Sequence, residues 1–261
     1  MPTFFDQLTQ HAIHRPEHTA IVTDSYSLNY AELLRRVEAG HSYLRTIGVG
    51  PEARVGVSIA DEVEHLLASL SLLATGAGQI ILATHDSQSL KASLSQRLRI
   101  THVLSTNEKY KVEDAAFVSW PQQKSTRAAK SILKPSVSSA TLYLRTSGTT
   151  GDSNLVPLSE EQIALQSEQH PEYADERVLR LASIEHNNSK RHRLYAVWAG
   201  GTNVFNPQGN FDIIDFALRH NVTCIDITRM HASDLAAAEN ASKLSCVKIR
   251  TAGSSVPREV R

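Results

Sequence analysis

The chain has 261 residues, of which 41% are hydrophobic and 21% charged, as is typical of a soluble globular protein with one or two domains. Its 27 Lys and Arg residues balance its 27 Asp and Glu residues, so the charge excludes a strongly basic nucleic-acid binder and an acidic tail. The two cysteines, Cys224 and Cys246, are too few for a structural zinc site or a disulfide framework. We expect both to be buried, reduced thiols of a cytoplasmic protein.

One uncharged stretch, residues 66–83, has the length of a membrane span. Polar side chains such as Ser69 and Gln79 interrupt it, however, and Thr75-Gly-Ala-Gly78 divides it in the middle. We therefore expect a buried helix, a turn and a buried strand. The first residues lack a basic segment followed by an apolar one, so we expect no secretory signal.

The spacing of apolar residues over the first hundred positions predicts helices that alternate with short strands. The predicted elements are a helix over 4–14, a strand over 19–23, a helix over 30–47, a strand over 54–59, a helix over 62–75, a strand over 79–83, a helix over 87–99 and a strand over 101–104. Asp61 is placed to cap the third helix. Strands separated by helices of this length indicate right-handed βαβ units and a mostly parallel sheet.

Residues 106–138 break this alternation with many Lys, Ser and Gln residues, which predicts a polar surface excursion between two subdomains. Beyond it, the predicted elements are a strand over 141–145, an extended segment over 155–158, a helix over 159–168, a strand over 177–182, a helix ending near 199, a strand over 202–205, a helix over 211–220, a strand over 223–227, a helix over 232–239 and a strand over 247–251. The sequence therefore predicts an α/β protein with one subdomain over 1–138 and part of a second over 139–261.

The segment with the clearest chemistry is Leu142-Tyr-Leu-Arg-Thr-Ser-Gly-Thr-Thr-Gly151. An apolar strand leads into a loop whose glycines let backbone N–H groups turn toward an anion, while the hydroxyls add short donors. Such a loop suits a polyphosphate. The spacing G-x-x-x-x-G-K-S/T of the Walker P-loop and the dinucleotide fingerprint G-x-G-x-x-G are both absent. Composition alone leaves an ordinary surface loop as the alternative.

The hexapeptide Thr146-Ser-Gly-Thr-Thr-Gly151 resembles the phosphate-binding signature T-S-G-S/T-T-G-x-P-K-G of the adenylate-forming superfamily, which includes acyl-CoA synthetases, luciferases and peptide-synthetase adenylation domains. Four further segments resemble family segments in the same order. They are Ser27–Leu33 (T-Y-x-E-L), Gly48–Val57 (G-V-x-x-G-D-x-V), Leu72–Gly78 (L-K-A-G-A) and Ile249–Val260 (G-G-A-P-L-P-x-E-L). The resemblance covers nearly the whole chain and implies the N-terminal subdomains of an adenylate-forming enzyme, built from mostly parallel sheets flanked by helices.

The resemblance also implies roles for individual residues. The loop residues Thr146, Ser147, Gly148, Thr149, Thr150 and Gly151 would bind the phosphates of ATP, with Mg²⁺ sharing the charge, while a substrate carboxylate attacks the α-phosphorus. Ala252, Gly253, Ser254 and Ser255 would lie against the adenine and the acyl pocket. His186 resembles the family's histidine beside that pocket, although a surface histidine near a helix start explains it equally well. No structural metal is expected.

The sequence departs from the family pattern beyond Gly151, where the usual Pro-Lys pair is absent and the chain runs Asp152-Ser153-Asn154. Asn154 stands where a cation would meet the pyrophosphate, and losing such a contact costs roughly 1.5–3 kcal/mol. A second departure is Asn187-Asn-Ser-Lys-Arg-His-Arg193, which replaces an apolar stretch. Its cations would meet an anionic acyl group or the phosphates of CoA or phosphopantetheine. The alternative, which we expect, is that the segment is a solvated loop.

The resemblance ends at Arg261, before the family's Y-G-x-T-E segment, its ribose-binding aspartate and the C-terminal domain with its catalytic lysine. We therefore expect that the chain alone does not complete adenylation. A piece of a longer protein is the simpler explanation, and a naturally shortened homologue is the second.

Three functional hypotheses follow. The parent protein would be an ATP-dependent ligase that converts a small carboxylic acid to acyl-AMP and then to a thioester of CoA or of an acyl or peptidyl carrier protein. The alternative is a non-catalytic relative that binds nucleotide, acyl group or carrier protein. The third is an unrelated flavodoxin-like domain, which would bind its ligand at a sheet crevice away from residues 146–151.

Overall fold

A computed structural model describes residues 2–121, 140–146, 154–207, 209, 211–238 and 240–251. The helices are α1 (Phe4–His14), α2 (Tyr30–Thr46), α3 (Glu62–Thr75), α4 (Gln88–Leu98), α5 (Glu160–Glu168), α6 (Asn187–Ala199), α7 (Ile213–Arg219) and α8 (Arg229–Ala237). The strands are β1 (Thr19–Val22), β2 (Ser27–Asn29), β3 (Arg54–Ser58), β4 (Gly78–Ile81), β5 (His102–Ser105), β6 (Ala116–Ser119), β7 (Thr141–Thr146), β8 (Asn154–Ser159), β9 (Arg177–Arg180), β10 (Thr202–Val204), β11 (Cys224–Ile227) and β12 (Lys248–Thr251).

These strands form two six-stranded sheets. The first has the order β12-β11-β9-β10-β1-β2 and the second the order β6-β5-β3-β4-β7-β8. Each sheet is parallel except at one edge, where β1 pairs with β2 and β7 pairs with β8 in antiparallel fashion. The predicted α/β class with mostly parallel, helix-flanked sheets is confirmed. Sheet membership crosses residue 138, since β1 and β2 join strands from the second half of the chain, so the subdomain division at that residue stays a prediction.

Local signals in the sequence account for the helix starts. The side chains of Thr3, Asn29 and Asp61 each accept a hydrogen bond from a backbone N–H of the first turn, which stabilises a group that has no partner within the helix. Helix α6 ends before Gly200, which has a φ of 83° that a residue with a side chain rarely adopts.

Helices α2 and α3 pack against each other and contribute buried apolar residues to the core. Helix α2 also contacts β1 and β2 of the first sheet, and α3 contacts β3 and β4 of the second. Nearly all of α3 is buried, as the uncharged stretch predicted, and the backbone turns at Gly76 into the buried strand β4. Among the described residues, no helix is long and apolar enough to cross a bilayer.

The polar excursion predicted over 106–138 is wrong for its first part. Residues Ala116–Ser119 form β6, which pairs in parallel with β5 at the edge of the second sheet. Val118 and Trp120 are buried beside it, and the Trp120 Nε1–H donates to Glu64 Oε2 over 2.9 Å. The burial of Val118 and Trp120 thus decides the structure of this segment in spite of its polar composition. Residues 122–139 lie outside the described part of the chain.

The expectation of two buried thiols is confirmed for Cys224 and wrong for Cys246. Cys224 lies within the first sheet at the start of β11, where burial raises the pKa of its thiol to about 12. Cys246 follows a 3₁₀ turn and is exposed, because it precedes the edge strand β12 rather than lying in a paired strand.

Candidate functional site

A cavity of about 560 Å³ opens at the carboxyl ends of three neighbouring parallel strands of the first sheet. Arg180 ends β9, Asp226 and Ile227 end β11, and Thr251 ends β12. The first turns of α6 and the 3₁₀ turn before β9 close the cavity from the sides. Ligands of open α/β sheets bind at this edge, since the loops that follow the strands leave a crevice there. The volume suits a small organic molecule.

A buried ion pair network forms one wall of the cavity. Asp226 accepts hydrogen bonds from Arg180 Nη2 on the neighbouring strand β9 and from Arg250 Nε on β12, the latter over 2.8 Å. Burial alone would raise the pKa of Asp226, but the two guanidinium groups outweigh it and hold the pKa below its ordinary value. Arg250 also faces Glu176 at 3.0 Å. These charges are therefore held in place by one another at the cavity wall.

A hydrogen-bonded chain leads from this network to a histidine. Arg180 Nη2 donates to the Tyr173 hydroxyl over 3.2 Å, and that hydroxyl lies 2.7 Å from His192 Nδ1. Burial, assisted by the charge of Arg180, lowers the pKa of His192 to about 4. Burial also raises the pKa of Tyr173 to about 12. Both groups are therefore neutral at pH 7.

The mouth of the cavity adjoins the start of the predicted phosphate loop. Asn187, the first residue of α6, donates from Nδ2 to the backbone carbonyl of Arg145 over 2.5 Å. Arg145 also pairs with Asp86 through both of its terminal nitrogens, at 2.7 and 3.2 Å. Thr146 follows directly as the last residue of β7. The start of α6 and the end of β7 are thus joined where the loop leaves the sheet.

The structure describes only the two ends of that loop. Thr146 and Asn154 are exposed and paired across the β7–β8 hairpin, where Thr146 Oγ1 donates to the carbonyl of Asn154 over 3.4 Å. Ser147, Gly148, Thr149, Thr150 and Gly151 lie outside the described residues, and so do Ala252, Gly253, Ser254 and Ser255. The second group comes directly after Thr251, which ends β12 at the cavity wall. The roles of all these residues stay predictions.

His186 lies at the N-cap position of α6 and lines the cavity, with its ring centroid 6.5 Å from that of His85. The side chain is also exposed, as a surface histidine at a helix start would be, so its role beside a substrate pocket stays a prediction. Within the described residues, no three His, Cys, Asp or Glu side chains are grouped so that they could hold a metal ion.

The solvated loop expected over Asn187–Arg193 is wrong, because these residues form the first half of α6. Lys190 and Arg193 are fully buried. Lys190 Nζ donates to Gln79 Oε1 over 2.8 Å, and Arg193 Nη2 donates to Glu62 Oε2 over 2.6 Å. Since these two side chains bind partners on the second sheet and on α3, they are structural links rather than free ligands for an anion.

Sequence reasoning missed Tyr173, Arg180, Asp226 and Arg250, which give the cavity its polarity, and it noted His192 only as part of the segment Asn187–Arg193. A signal was present, because Arg180 and Asp226 are charged residues that directly follow the apolar strand pairs Val178-Leu179 and Cys224-Ile225, near the carboxyl ends of their strands. Charges in such positions indicate a site at the sheet edge. Their pairing could not be inferred without knowing that β9 and β11 are neighbours.

Comparison with known proteins assigns the family. The model of the family described as AMP-binding enzyme matches residues 8–261. The chain belongs to the AMP-binding enzyme family. This confirms the resemblance to adenylate-forming enzymes and the N-terminal subdomains that it implied.

Solved structures of this family share the fold of the chain. The N-terminal subdomain of NpsA from Klebsiella oxytoca has a TM-score of 0.86 at 17% identity, covering 99% of this chain and 69% of that one. The O-succinylbenzoate coenzyme A synthetase MenE from Bacillus subtilis, in complex with AMP, has a TM-score of 0.82 at 16% identity, covering 97% of this chain and 68% of that one.

One known protein matches part of the chain in sequence. A linear gramicidin synthase of Brevibacillus parabrevis is 37% identical over 78 residues, which are 30% of this chain and 2% of that protein. The matched segment is therefore a small part of that much longer protein.

Proposed function

We propose that the chain is the nucleotide- and acid-binding part of an ATP-dependent ligase that converts a carboxylic acid to acyl-AMP. The acyl group would then pass to the thiol of CoA or of a carrier protein. The observation that carries the proposal is the junction between the cavity and the loop: Asn187 on the cavity-lining helix bonds to Arg145, one residue before Thr146. Family membership supports the same conclusion.

In this proposal, the acid lies in the cavity with its carboxylate at the mouth near His186. One carboxylate oxygen forms a bond to the α-phosphorus of ATP, the bond from that phosphorus to the bridging oxygen breaks, and pyrophosphate leaves. Thr146 to Gly151 hold the β- and γ-phosphates through hydroxyl and backbone N–H donors, which stabilise the charge that develops on the leaving group. Mg²⁺ would enter with ATP, since phosphate oxygens and water usually supply most of its ligands, and it would neutralise part of that charge.

The residues at the junction contribute by positioning. The bond from Asn187 Nδ2 to the Arg145 carbonyl and the pairing of Arg145 with Asp86 hold the end of β7 against α6. A carboxylate and a phosphorus must be brought within a few ångströms in the correct orientation, and rigid supports of this kind lower the barrier by reducing the freedom that is lost on reaction.

The test is ATP–pyrophosphate exchange by the full-length protein with a broad panel of carboxylic acids. We expect exchange that depends on at least one acid. The proposal is rejected if no acid supports exchange and no ATP binding is detected by calorimetry.

A second candidate, a non-catalytic relative that binds nucleotide or acyl group without turnover, is favoured by Asn154. This residue is exposed at the start of β8, where the family pattern has a lysine. The variant Asn154→Lys separates the two candidates, with Gln96→Lys on the exposed face of α4 as a control of equal charge. A large gain in exchange for Asn154→Lys alone indicates an enzyme weakened at this position. Absence of exchange in both variants and in the natural protein favours the non-catalytic relative.

A further inference from the structure

The inner wall of the cavity carries a histidine whose protonation is fixed by its neighbours. Arg180 Nη2 is always a donor, so the Tyr173 oxygen accepts from it over 3.2 Å. The one other hydrogen-bonding partner of the Tyr173 hydroxyl among the described residues is His192 Nδ1, at 2.7 Å. The hydroxyl proton is satisfied only if it points to that nitrogen, so His192 Nδ1 acts as the acceptor.

The position of the ring proton follows. Burial and the nearby Arg180 lower the pKa of His192 to about 4, so the imidazole is neutral at pH 7. A neutral imidazole with an accepting Nδ1 carries its proton on Nε2. His192 lines the cavity, and its Nε2 has no hydrogen-bonding partner within the described part of the chain. The site therefore holds a donor whose direction is set before any ligand arrives.

We propose that the acid activated at this site carries a hydrogen-bond acceptor, a hydroxyl or carbonyl oxygen, at the end remote from its carboxylate, and that His192 Nε2–H binds this oxygen. The inference rests on the proposed function, because it takes the cavity as the place of the acid. His192 is in this view a specificity-determining residue, and Tyr173 is a positioning residue that acts through it.

The geometry of α6 sets the length of the acid. His186 lies at the N-cap and His192 six residues further along the helix, and both line the cavity. At a rise of 1.5 Å per residue, these positions are separated by about 9 Å along the helix axis. We place the carboxylate of the acid at the mouth of the cavity, beside Thr146. A linear run of about six to eight heavy atoms then spans roughly 9 Å and brings the acceptor oxygen to the level of His192.

The surroundings disfavour the other classes of acid. A terminal ammonium group would face the His192 Nε2–H, a donor like itself, in a wall where Asp226 already accepts from Arg180 and Arg250. A purely apolar chain would cover the His192 Nε2–H without giving it a partner, and sites built around a hydrogen bond reject analogues that lack the bonding group.

The test compares acids that share a skeleton and differ only in the acceptor: hexanoate with 6-hydroxyhexanoate, and benzoate with 4-hydroxybenzoate. Binding to the full-length protein is measured by calorimetry, and kcat/KM by ATP–pyrophosphate exchange. The variants are His192→Phe, which keeps a ring without the donor, His192→Gln, which keeps a donor, and Tyr173→Phe, which removes the hydroxyl that donates to Nδ1. His14→Phe on the exposed face of α1 is the matched control.

We expect the natural protein to prefer the hydroxylated acid of at least one pair by about tenfold or more. His192→Phe abolishes this preference by lowering kcat/KM for the hydroxylated acid towards that for the plain acid, His192→Gln retains part of the preference, Tyr173→Phe weakens it, and His14→Phe, which lies outside the cavity, changes nothing. Equal use of both acids of each pair, or a preference that survives in His192→Phe, overturns the inference. Exchange with plain acids then still supports the proposed function. Selective binding of hydroxylated acids that His192→Phe abolishes, together with no exchange and no ATP binding, rejects the proposed function and leaves His192 as a binding residue only.

Discussion

Replacing Lys190 by Met should change how the stability of the protein depends on pH. Lys190 is fully buried in α6, and its Nζ donates to Gln79 Oε1 over 2.8 Å. Arg193 and His65 lie near it and add no negative charge. Burial lowers the pKa of Lys190 to about 7, whereas a lysine in the unfolded chain has a pKa of about 10.4.

The sign and size of the effect follow from the difference in bound protons. Below pH 7, Lys190 is protonated in both states, and the folded state carries the full cost of the buried charge. Between about pH 7 and pH 10, the unfolded state binds a proton that the folded state lacks, so stability rises with pH by roughly 1.4 kcal/mol per unit. Lys190→Met removes this slope and loses one hydrogen bond worth about 1 kcal/mol.

The assay is urea unfolding of the natural protein and of Lys190→Met at several pH values across that interval, with exposed Lys243→Met as the control. The difference in the free energy of unfolding between the natural protein and Lys190→Met should grow steadily in favour of the natural protein as pH rises, while the Lys243→Met curve runs parallel to that of the natural protein. If the plots of unfolding free energy against pH are parallel for all three proteins, the assignment of Lys190 as a neutral, buried amine is refuted.

Two further predictions concern folding. Burial raises the pKa of Glu160 to about 7, although the hydrogen bond from the Phe4 backbone amide opposes this effect. Between about pH 4.5 and pH 7, the folded state therefore holds a proton that the unfolded state lacks. The free energy of unfolding should fall by roughly 1.4 kcal/mol per pH unit as pH rises through this range. Glu160→Gln should abolish that decline in urea unfolding, and an unchanged slope would contradict it. Gly201→Ala should lower the free energy of unfolding by about 1–3 kcal/mol, because a Cβ there collides with the Tyr173 backbone carbonyl. Gly50→Ala is the control, since its Cβ meets only the flexible Arg45 side chain. Equal thermal midpoints for the two variants would argue against the collision.

Helices with strong local signals were predicted well from the sequence. In α3, Asp61 caps the first turn, the residues that follow are apolar, and Gly76 ends the helix, so residues within a few positions of each other specify the element. The short strands β2 and β6 were missed, because three or four residues carry too little pattern. Trp120 and Val118 become evidence for β6 only when β5 lies beside it.

The candidate site likewise has a part that the sequence could predict and a part that it could not. The loop at Thr146 could be recognised from adjacent residues, since its chemistry and family pattern are continuous in the chain. The cavity wall could not, because Arg180 and Asp226 are separated by 46 positions and meet only when β9 and β11 pair. Lys190 and Arg193 were predicted to be solvated for a related reason: their partners Gln79 and Glu62 lie in another part of the chain.

The central claim is that the cavity and the loop together activate a carboxylic acid with ATP. The most direct measurement is acid-dependent ATP–pyrophosphate exchange by the full-length protein, with Asn187→Ala as a variant that disconnects α6 from the Arg145 carbonyl. We predict exchange with at least one small acid, weakened in Asn187→Ala. No exchange with any acid, together with no binding of ATP, would contradict the claim.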